Sequence, residues 1–238
     1  MKILLIADIH GNFPALNAVM DFFATTAFTA ICNCGDCLVY GPFPNETLHW
    51  LEENRVYSII GNTDRKVKKL LKGKGFKKPR KDEKRIMYTW TADQLNSRSA
   101  EYLCSLKKSQ RLHFAGHDIC LFHGSPEDPD EFLFPDTSRE RFNELSISCG
   151  CPIIVTGHSH TPFHTLTNDT HFINPGSVGR MFDGDPSASC AVLELTDETV
   201  KVTHYRVGYP VEQTIGAMKR HGLPDIYHSM YRLGKKLN

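Results

Sequence analysis

The chain has 238 residues, enough to bury one sizeable core, and its 40% hydrophobic and 23% charged content is ordinary for a soluble globular protein. No apolar stretch approaches the roughly 20 residues that span a bilayer, which excludes a transmembrane helix. The net charge of +1 hides an asymmetry: Arg65–Arg85 holds twelve Lys/Arg against Asp82 and Glu83, a local +10, so the remainder carries −9.

Lys2–Ala7 is a short run of strand-forming apolar residues that stops abruptly at Asp8-Ile9-His10-Gly11-Asn12. Side chains alternate along an extended chain, so a carboxylate and an imidazole two positions apart project to the same side. Together they suit Mn, Fe, Zn or Ni. Phe13–Ala27, with Ala15, Leu16, Val19, Phe22 and Phe23 on one side, reads as a helix. Ala30–Asn33 is a second strand, ending at Gly35-Asp36. A proline-bounded loop over Tyr40–Asn45 leads into a helix through Glu53, and a third apolar run, Val56–Ile60, ends at Gly61-Asn62-Thr63-Asp64. This alternation predicts an α/β layer with right-handed crossovers, whose sites lie beyond the carboxyl ends of the strands.

In the basic stretch Gly73, Gly75 and Pro79 break any long helix, so residues 65–85 read as a loop insertion. Two roles stay open for it, a solvated mobile loop or an electrostatic rim that draws anionic substrates. Phe76 alone interrupts the charges with an aromatic ring, so specific nucleic-acid recognition is not expected. Ile86–Asn96 and Ser99–Lys107 read as helices. Leu112–Ala115 and Ile119–Phe122 form a hairpin around Gly116-His117-Asp118 that terminates at His123-Gly124-Ser125. After a helix over Thr137–Ser146, the strand Ile153–Thr156 ends at Gly157-His158-Ser159-His160. Phe163–Thr167 pairs with His171–Ile173, Ala191–Leu195 with Val200–Arg206, and residues 210–238 form a helical tail. With no internal repeat and no linker, residues 1–238 read as one domain. Eight cysteines without a secretory signal point to a cytoplasmic protein with free thiols. Cys32, Cys34, Cys37, Cys149 and Cys151 read as small buried fillers.

Five strand ends thus carry Asp8 with His10, Asp36, Asn62, His123, and His158 with His160. Asp36 can bridge two cations with its two oxygens. Asp8, His10 and one terminal His can complete one site, and Asn62 with the other two imidazoles the second; spacing does not say which of His158 and His160 goes where. Two cations about 3.5–4 Å apart would hold a hydroxide between them as nucleophile and clamp phosphoryl oxygens.

The ordered motifs Asp8-x-His10, Gly35-Asp36, Gly61-Asn62-x-Asp64, His123-Gly124-Ser125-Pro126 and Gly157-His158-Ser159-His160 resemble the calcineurin-like metallophosphoesterases. Tyr40-Gly41-Pro42-x-Pro44-Asn45-Glu46 and Asn174-Pro175-Gly176-Ser177-Val178-Gly179 narrow the resemblance to the compact bacterial and archaeal branch of phosphodiesterase-like and diadenosine-polyphosphatase-like proteins. The resemblance implies a four-layer αββα sandwich of two mixed sheets and two divalent metal ions, with Mn favoured among Mn, Fe, Zn and Ni. It assigns Asp8, His10, Asp36 and His160 to one ion, and Asp36, Asn62, His123 and His158 to the other. It further implies hydrolysis of a small anionic phosphoester or nucleotide, without a membrane partner. Asn62 would hold phosphoryl oxygens and His123 stabilise developing charge. Asp64 either orients a ligand catalytically or opens a helix as an N-terminal carboxylate. Arg180 is expected to bind a non-reacting phosphate or to form a surface salt bridge.

One position departs from the family pattern: Thr63 stands where a His often lies between Asn and Asp. A hydroxyl facing substrate can donate a hydrogen bond but cannot supply a proton near neutral pH. The departure leaves room for a non-catalytic metal-binding scaffold or a nucleotide-binding regulator of the same fold.

Overall fold

Strands and helices alternate through the first third of the computed structural model, which covers residues 1–238. The order is β1 (Lys2–Ile6), α1 (Phe13–Phe22), β2 (Ala30–Asn33), α2 (Pro44–Glu53), β3 (Tyr57–Ser58) and then α3 (Asn62–Leu71), α4 (Asp82–Gln94) and α5 (Ser97–Ser105). The second half runs β4 (Gln110–Phe114), β5 (His117–Leu121), α6 (Arg139–Cys149), β6 (Ile153–Val155), β7 (Phe163–Thr167) and β8 (Thr170–Asn174). It closes with β9 (Ala188–Leu195), β10 (Val200–Val207), α7 (Val211–Arg220) and α8 (Asp225–Leu233).

Two five-stranded mixed sheets result, ordered β10-β9-β1-β2-β3 and β4-β5-β6-β8-β7. Within the first, β1, β2 and β3 are parallel, and the β9–β10 hairpin adds antiparallel to β1. Within the second, β5, β6 and β8 are parallel, and β4 and β7 pair antiparallel at the edges. β1 is buried on both faces, which is why its sequence is a continuous apolar run rather than an alternating one. Its Ile3 and Leu5 pack between the sheets with Ile119, Ile153, Val155 and Leu193, while Leu4 and Ile6 face Leu16, Val19 and Leu48 on the helical side. On the far side Phe142 and Leu145 of α6 cover Ile154, Phe163 and Phe172. The layers are therefore helices, sheet, sheet, helix. No helix is long and apolar enough to cross a membrane.

Three expectations shift. The first helix ends at Phe22 rather than Ala27, followed by Ala24, Thr25 and Thr26, of which the β-branched pair has weak helix propensity. Only Tyr57 and Ser58 of the run Val56–Ile60 join the ladder beside β2, with Ile59 bridging to Lys107. The basic stretch is a loop over only about half its length. Arg65–Leu71 continues α3, because Val67, Leu70 and Leu71 recur at helical spacing and Val67 is buried. α4 then starts at Asp82, with Asp82 and Glu83 in its first turn where the helix dipole favours carboxylates. Only residues 72–81 connect the two helices.

Candidate metal centre

The carboxyl ends of β1, β2, β5 and β6 and the first residue of α3 converge. Two groups form there, Asp8–His10–His160 and Asp36–His123–His158, each with ligand-type atoms within 4.8 Å of one another. His158 and His160, which spacing left unassigned, fall in different groups. The groups adjoin: His10 Nε2 lies 3.1 Å from His160 Nε2 and 3.9 Å from Asp36 Oδ2, and His123 Nε2 lies 3.4 Å from Asp36 Oδ1. Asn62 at the start of α3 places its amide oxygen 3.0 Å from His123 Nε2, from Asp36 Oδ2 and from His158 Nδ1.

The local backbone explains how strand ends present these groups. Asp8 (φ 53°), His10 (φ 53°), Asp36 (φ 52°), His158 (φ 66°) and His160 (φ 56°) all sit in the left-handed region. That conformation costs a non-glycine residue about 1–2 kcal/mol, and Asp and His tolerate it better than most. Five such residues at one edge mark a place where surrounding structure enforces strain, a recurrent property of functional sites. The enforcement is visible: Asp8 N donates to Gly35 O (2.9 Å), His10 N to Asp36 O (2.9 Å) and Gly157 N to His123 O (2.9 Å). Gly61 is required for closeness, since a Cβ there would lie 2.1 Å from Asp36 Oδ1. Its absence lets the α3 N-terminus reach Asp36, and Thr63 N donates to Asp36 Oδ1 at 2.8 Å.

Every imidazole is oriented from behind. His10 Nδ1 meets Leu38 O (3.2 Å), His123 Nδ1 meets Cys34 O (2.7 Å), His160 Nδ1 meets Arg180 O (2.5 Å), and His158 Nε2 meets Asp130 O (3.2 Å). A carbonyl accepts the ring N–H, so in each neutral ring the other nitrogen presents its lone pair to the centre. Burial depresses the His10 and His158 imidazoles to about 4 and His160 well below its ordinary value, favouring the neutral form, whereas at His123 burial is outweighed by Asp36, which raises the imidazole to about 9. Burial pushes the Asp36 carboxyl up, but His123 and His10 outweigh it and hold it well below the usual range. Burial likewise pushes Asp8 well above that range, and its Oδ1 is buried without a hydrogen-bond partner. A rotated Asn62 amide could bond the three acceptors around it through its NH2. With the oxygen inward, the donor set is two carboxylates, one amide oxygen and four imidazole nitrogens. This set fits divalent cations of the Mn, Fe, Zn or Ni type.

The domain profile described as the calcineurin-like phosphoesterase superfamily matches residues 1–198. The chain belongs to that superfamily. A crystal structure of a metallophosphoesterase from Sphaerobacter thermophilus superimposes with a TM-score of 0.81 at 27% identity, covering 98% of this chain and 99% of that one. The uncharacterized protein MJ0912 of Methanocaldococcus jannaschii is 28% identical over 250 residues, 98% of each chain. Phosphodiesterase YfcE of Escherichia coli is 24% identical over 217 residues, 84% of this chain and 95% of its own. The compact bacterial and archaeal branch is thus where the chain falls, as a metallophosphoesterase-type hydrolase with metal-binding residue groups. The M. jannaschii and S. thermophilus relatives match beyond the residues of the domain profile, over α7 and α8.

The segment that follows α8 matters to this phosphoesterase because Lys236 and Asn238 reach the cavity beside the centre. The cavity measures about 340 Å³, and beyond the ligand-type residues it is lined by Tyr40, Thr63, Lys84, Phe132, Phe134, Arg180, Phe182, Lys236 and Asn238. Arg180 is buried and has no acidic partner, so the surface salt bridge considered for it does not form. Its guanidinium lies 3.8 Å from the Tyr40 ring centroid, within 5.4 Å of those of Phe182 and Tyr227, and its Nε has no hydrogen-bond partner. Thr63 faces the cavity, but its hydroxyl donates to Leu38 O at 3.0 Å.

Of the two roles open for Asp64, the carboxylate at the opening of α3 is the one the fold shows, and the catalytic one is corrected. The fully buried Asp64 carboxylate does not line the cavity and accepts from Cys37 N (3.1 Å), Leu38 N (3.0 Å) and Gly61 N (3.0 Å). It ties the loop after β2 to the first turn of α3, and so sets Asp36 against Asn62. Asp64→Ala is expected to lower the free energy of unfolding by about 3 kcal/mol, because three buried amides lose a charged acceptor. Urea unfolding checks this, and an unchanged midpoint would contradict the positioning role.

Sequence reasoning missed the aromatic walls. Phe132 stacks on His158 (4.0 Å between centroids, 19°) and Phe182 on His160 (4.6 Å, 6°). The available signal was Phe132-Leu133-Phe134 placed after the polar run Glu127–Glu131, where exposed rings need a reason.

Proposed function

We propose that this protein is a dinuclear metal-dependent phosphoesterase that hydrolyses phosphodiester or phosphoanhydride bonds in small anionic substrates of the nucleotide class. The observation that carries the reading is the orientation of the four imidazoles: each turns an N–H back to a carbonyl, and their free nitrogens meet the oxygens of Asp8, Asp36 and Asn62. Asp8, His10, Asp36 and His160 would hold one cation, and Asp36, Asn62, His123 and His158 the other. When bound, the two ions, with Mn favoured, supply the Lewis acidity that activates water and neutralises phosphoryl charge.

The chain's own groups do the rest. Arg180, Lys84 and Lys236 give the cavity wall positive charge for phosphates that do not react. Phe132, Phe134 and Phe182 offer apolar faces to a base or an aryl leaving group. Eight free cysteines support a reducing, cytoplasmic setting.

The test strips the protein with chelator, reloads it with Mn(II), and pairs elemental analysis with a phosphoester panel. The expected result is two Mn per chain and turnover of bis-p-nitrophenyl phosphate that chelation abolishes. A fully loaded protein without turnover of any phosphoester in the panel overturns the enzymatic reading in favour of a scaffold.

A further inference from the structure

A second cluster of ligand-type side chains lies outside the cavity just described. Cys120 of β5, Cys149 at the end of α6 and Cys151 just before β6 bring three sulfurs within 4.8 Å of one another. Cys120 and Cys151 are buried and Cys149 is half-buried. Local structure accounts for the convergence. Gly150 ends α6 in the left-handed conformation (φ 59°, ψ 35°), and its N–H donates to Ser146 O at 3.0 Å. That reversal turns the two cysteines flanking Gly150 toward the same neighbour, β5.

Arg111 completes the arrangement. It stands opposite Cys120 in the β4–β5 ladder, and its Nε donates to Cys120 Sγ at 3.3 Å. Its Nη2 reaches the carbonyls of Cys149 and Gly150, each at 3.3 Å, so one guanidinium touches both arms of the cluster. Three thiolates around a divalent cation carry one net negative charge, which this adjacent guanidinium, shared with Asp118 at 3.4 Å, offsets in part. A cavity of about 360 Å³ opens onto Cys120 and Cys149 and shares no residue with the phosphoesterase cavity, giving a separate route of entry.

We propose that Cys120, Cys149 and Cys151 form a separate trithiolate site for one thiophilic divalent cation of the Zn(II) class, its fourth position open to this cavity. Zn–S bonds of about 2.3 Å place tetrahedral sulfurs just under 4 Å apart, within a small side-chain adjustment of the observed cluster. Such an ion would staple β5, the end of α6 and the start of β6, elements that otherwise meet through packing and strand pairing. Three thiols rather than two favour a cation over a disulfide, which would leave one sulfur unpaired.

Cobalt(II) is the probe, because a sulfur-to-cobalt charge-transfer band reports thiolate ligation and the nitrogen and oxygen ligands of the other centre cannot produce one. Full-length reduced protein, freed of metal and titrated anaerobically, is expected to show one equivalent of this absorption, bleached by Zn(II). Cys120→Ser and Cys149→Ser are expected to weaken cobalt binding at this site at least about tenfold, whereas Cys104→Ser and Asp36→Asn leave the band in place. Wild-type protein gives an independent reading, since Zn(II) is expected to slow alkylation of Cys149 but not of exposed Cys104. The proposal is overturned if reduced wild type shows no charge-transfer band, if the band survives in both serine variants, or if Zn(II) leaves Cys149 alkylation unchanged.

Discussion

Replacing Asp36 with asparagine is expected to lower kcat/KM on bis-p-nitrophenyl phosphate by about 10³-fold or more with the fold retained. Asparagine matches aspartate in shape and keeps an oxygen for the Thr63 amide, which donates to Asp36 Oδ1 at 2.8 Å. What it removes is the charge shared by both groups: Asp36 lies 3.9 Å from His10 Nε2 on one side and 3.4 Å from His123 Nε2 on the other. Cations held without that shared charge would be bound more weakly and would supply less of the Lewis acidity on which turnover rests. A barrier increase of about 4 kcal/mol corresponds to about 10³ in rate. Elemental analysis after Mn(II) loading should show the same lesion as a loss of at least one ion per chain. An unchanged rate would assign the activity to a contaminant and remove Asp36 from the centre.

How much of this was legible in the sequence differs between the centre and its surroundings. Asp8, His10, Asp36, Asn62, His123, His158 and His160 could be singled out because each follows a short apolar run, and parallel strands deliver their carboxyl ends to one edge. The left-handed backbone at five of them could not be foreseen, since that conformation is imposed by bonds between loops far apart in sequence, such as His10 N to Asp36 O. The sequence left Asp64 between a catalytic role and the opening of a helix for the same reason: only the folded chain shows the amides of Cys37 and Leu38 closing on it. In the basic stretch, a count of charges masked the helical spacing of Val67, Leu70 and Leu71. Cys149 and Cys151 looked like fillers because Cys120, which completes their cluster, belongs to another strand.

The cavity walls were the least legible part, and they bear on specificity. Lys84 comes from α4, Phe132 and Phe134 from the loop after β5, and Lys236 and Asn238 from beyond α8, so no local motif unites them. Their common property is positive charge beside apolar rings, which suits a substrate with a phosphate at one end and an aromatic group at the other.

Activity is expected to depend steeply on the leaving group, with kcat/KM for bis-p-nitrophenyl phosphate exceeding that for an alkyl phosphomonoester by at least about 10²-fold. Thr63 faces the cavity beside Asn62 but donates its hydroxyl proton to Leu38 O at 3.0 Å. Even released from that bond, a hydroxyl cannot protonate a departing oxygen near neutral pH. A p-nitrophenolate departs without a proton, and the inner phosphate of an anhydride is also a good leaving group; an alkoxide is not. General-acid assistance is typically worth about 10²–10⁴-fold, and that factor falls on alkyl esters alone. Thr63→His places an imidazole at the same cavity position, and it is expected to raise alkyl-ester turnover relative to aryl turnover, narrowing the ratio about tenfold or more. The comparison needs only two substrates and two proteins, with circular dichroism to confirm that the variant folds. Wild-type protein that cleaves the alkyl monoester more efficiently than bis-p-nitrophenyl phosphate must draw its proton from another group in the cavity, and the assignment built on Thr63 would then be wrong.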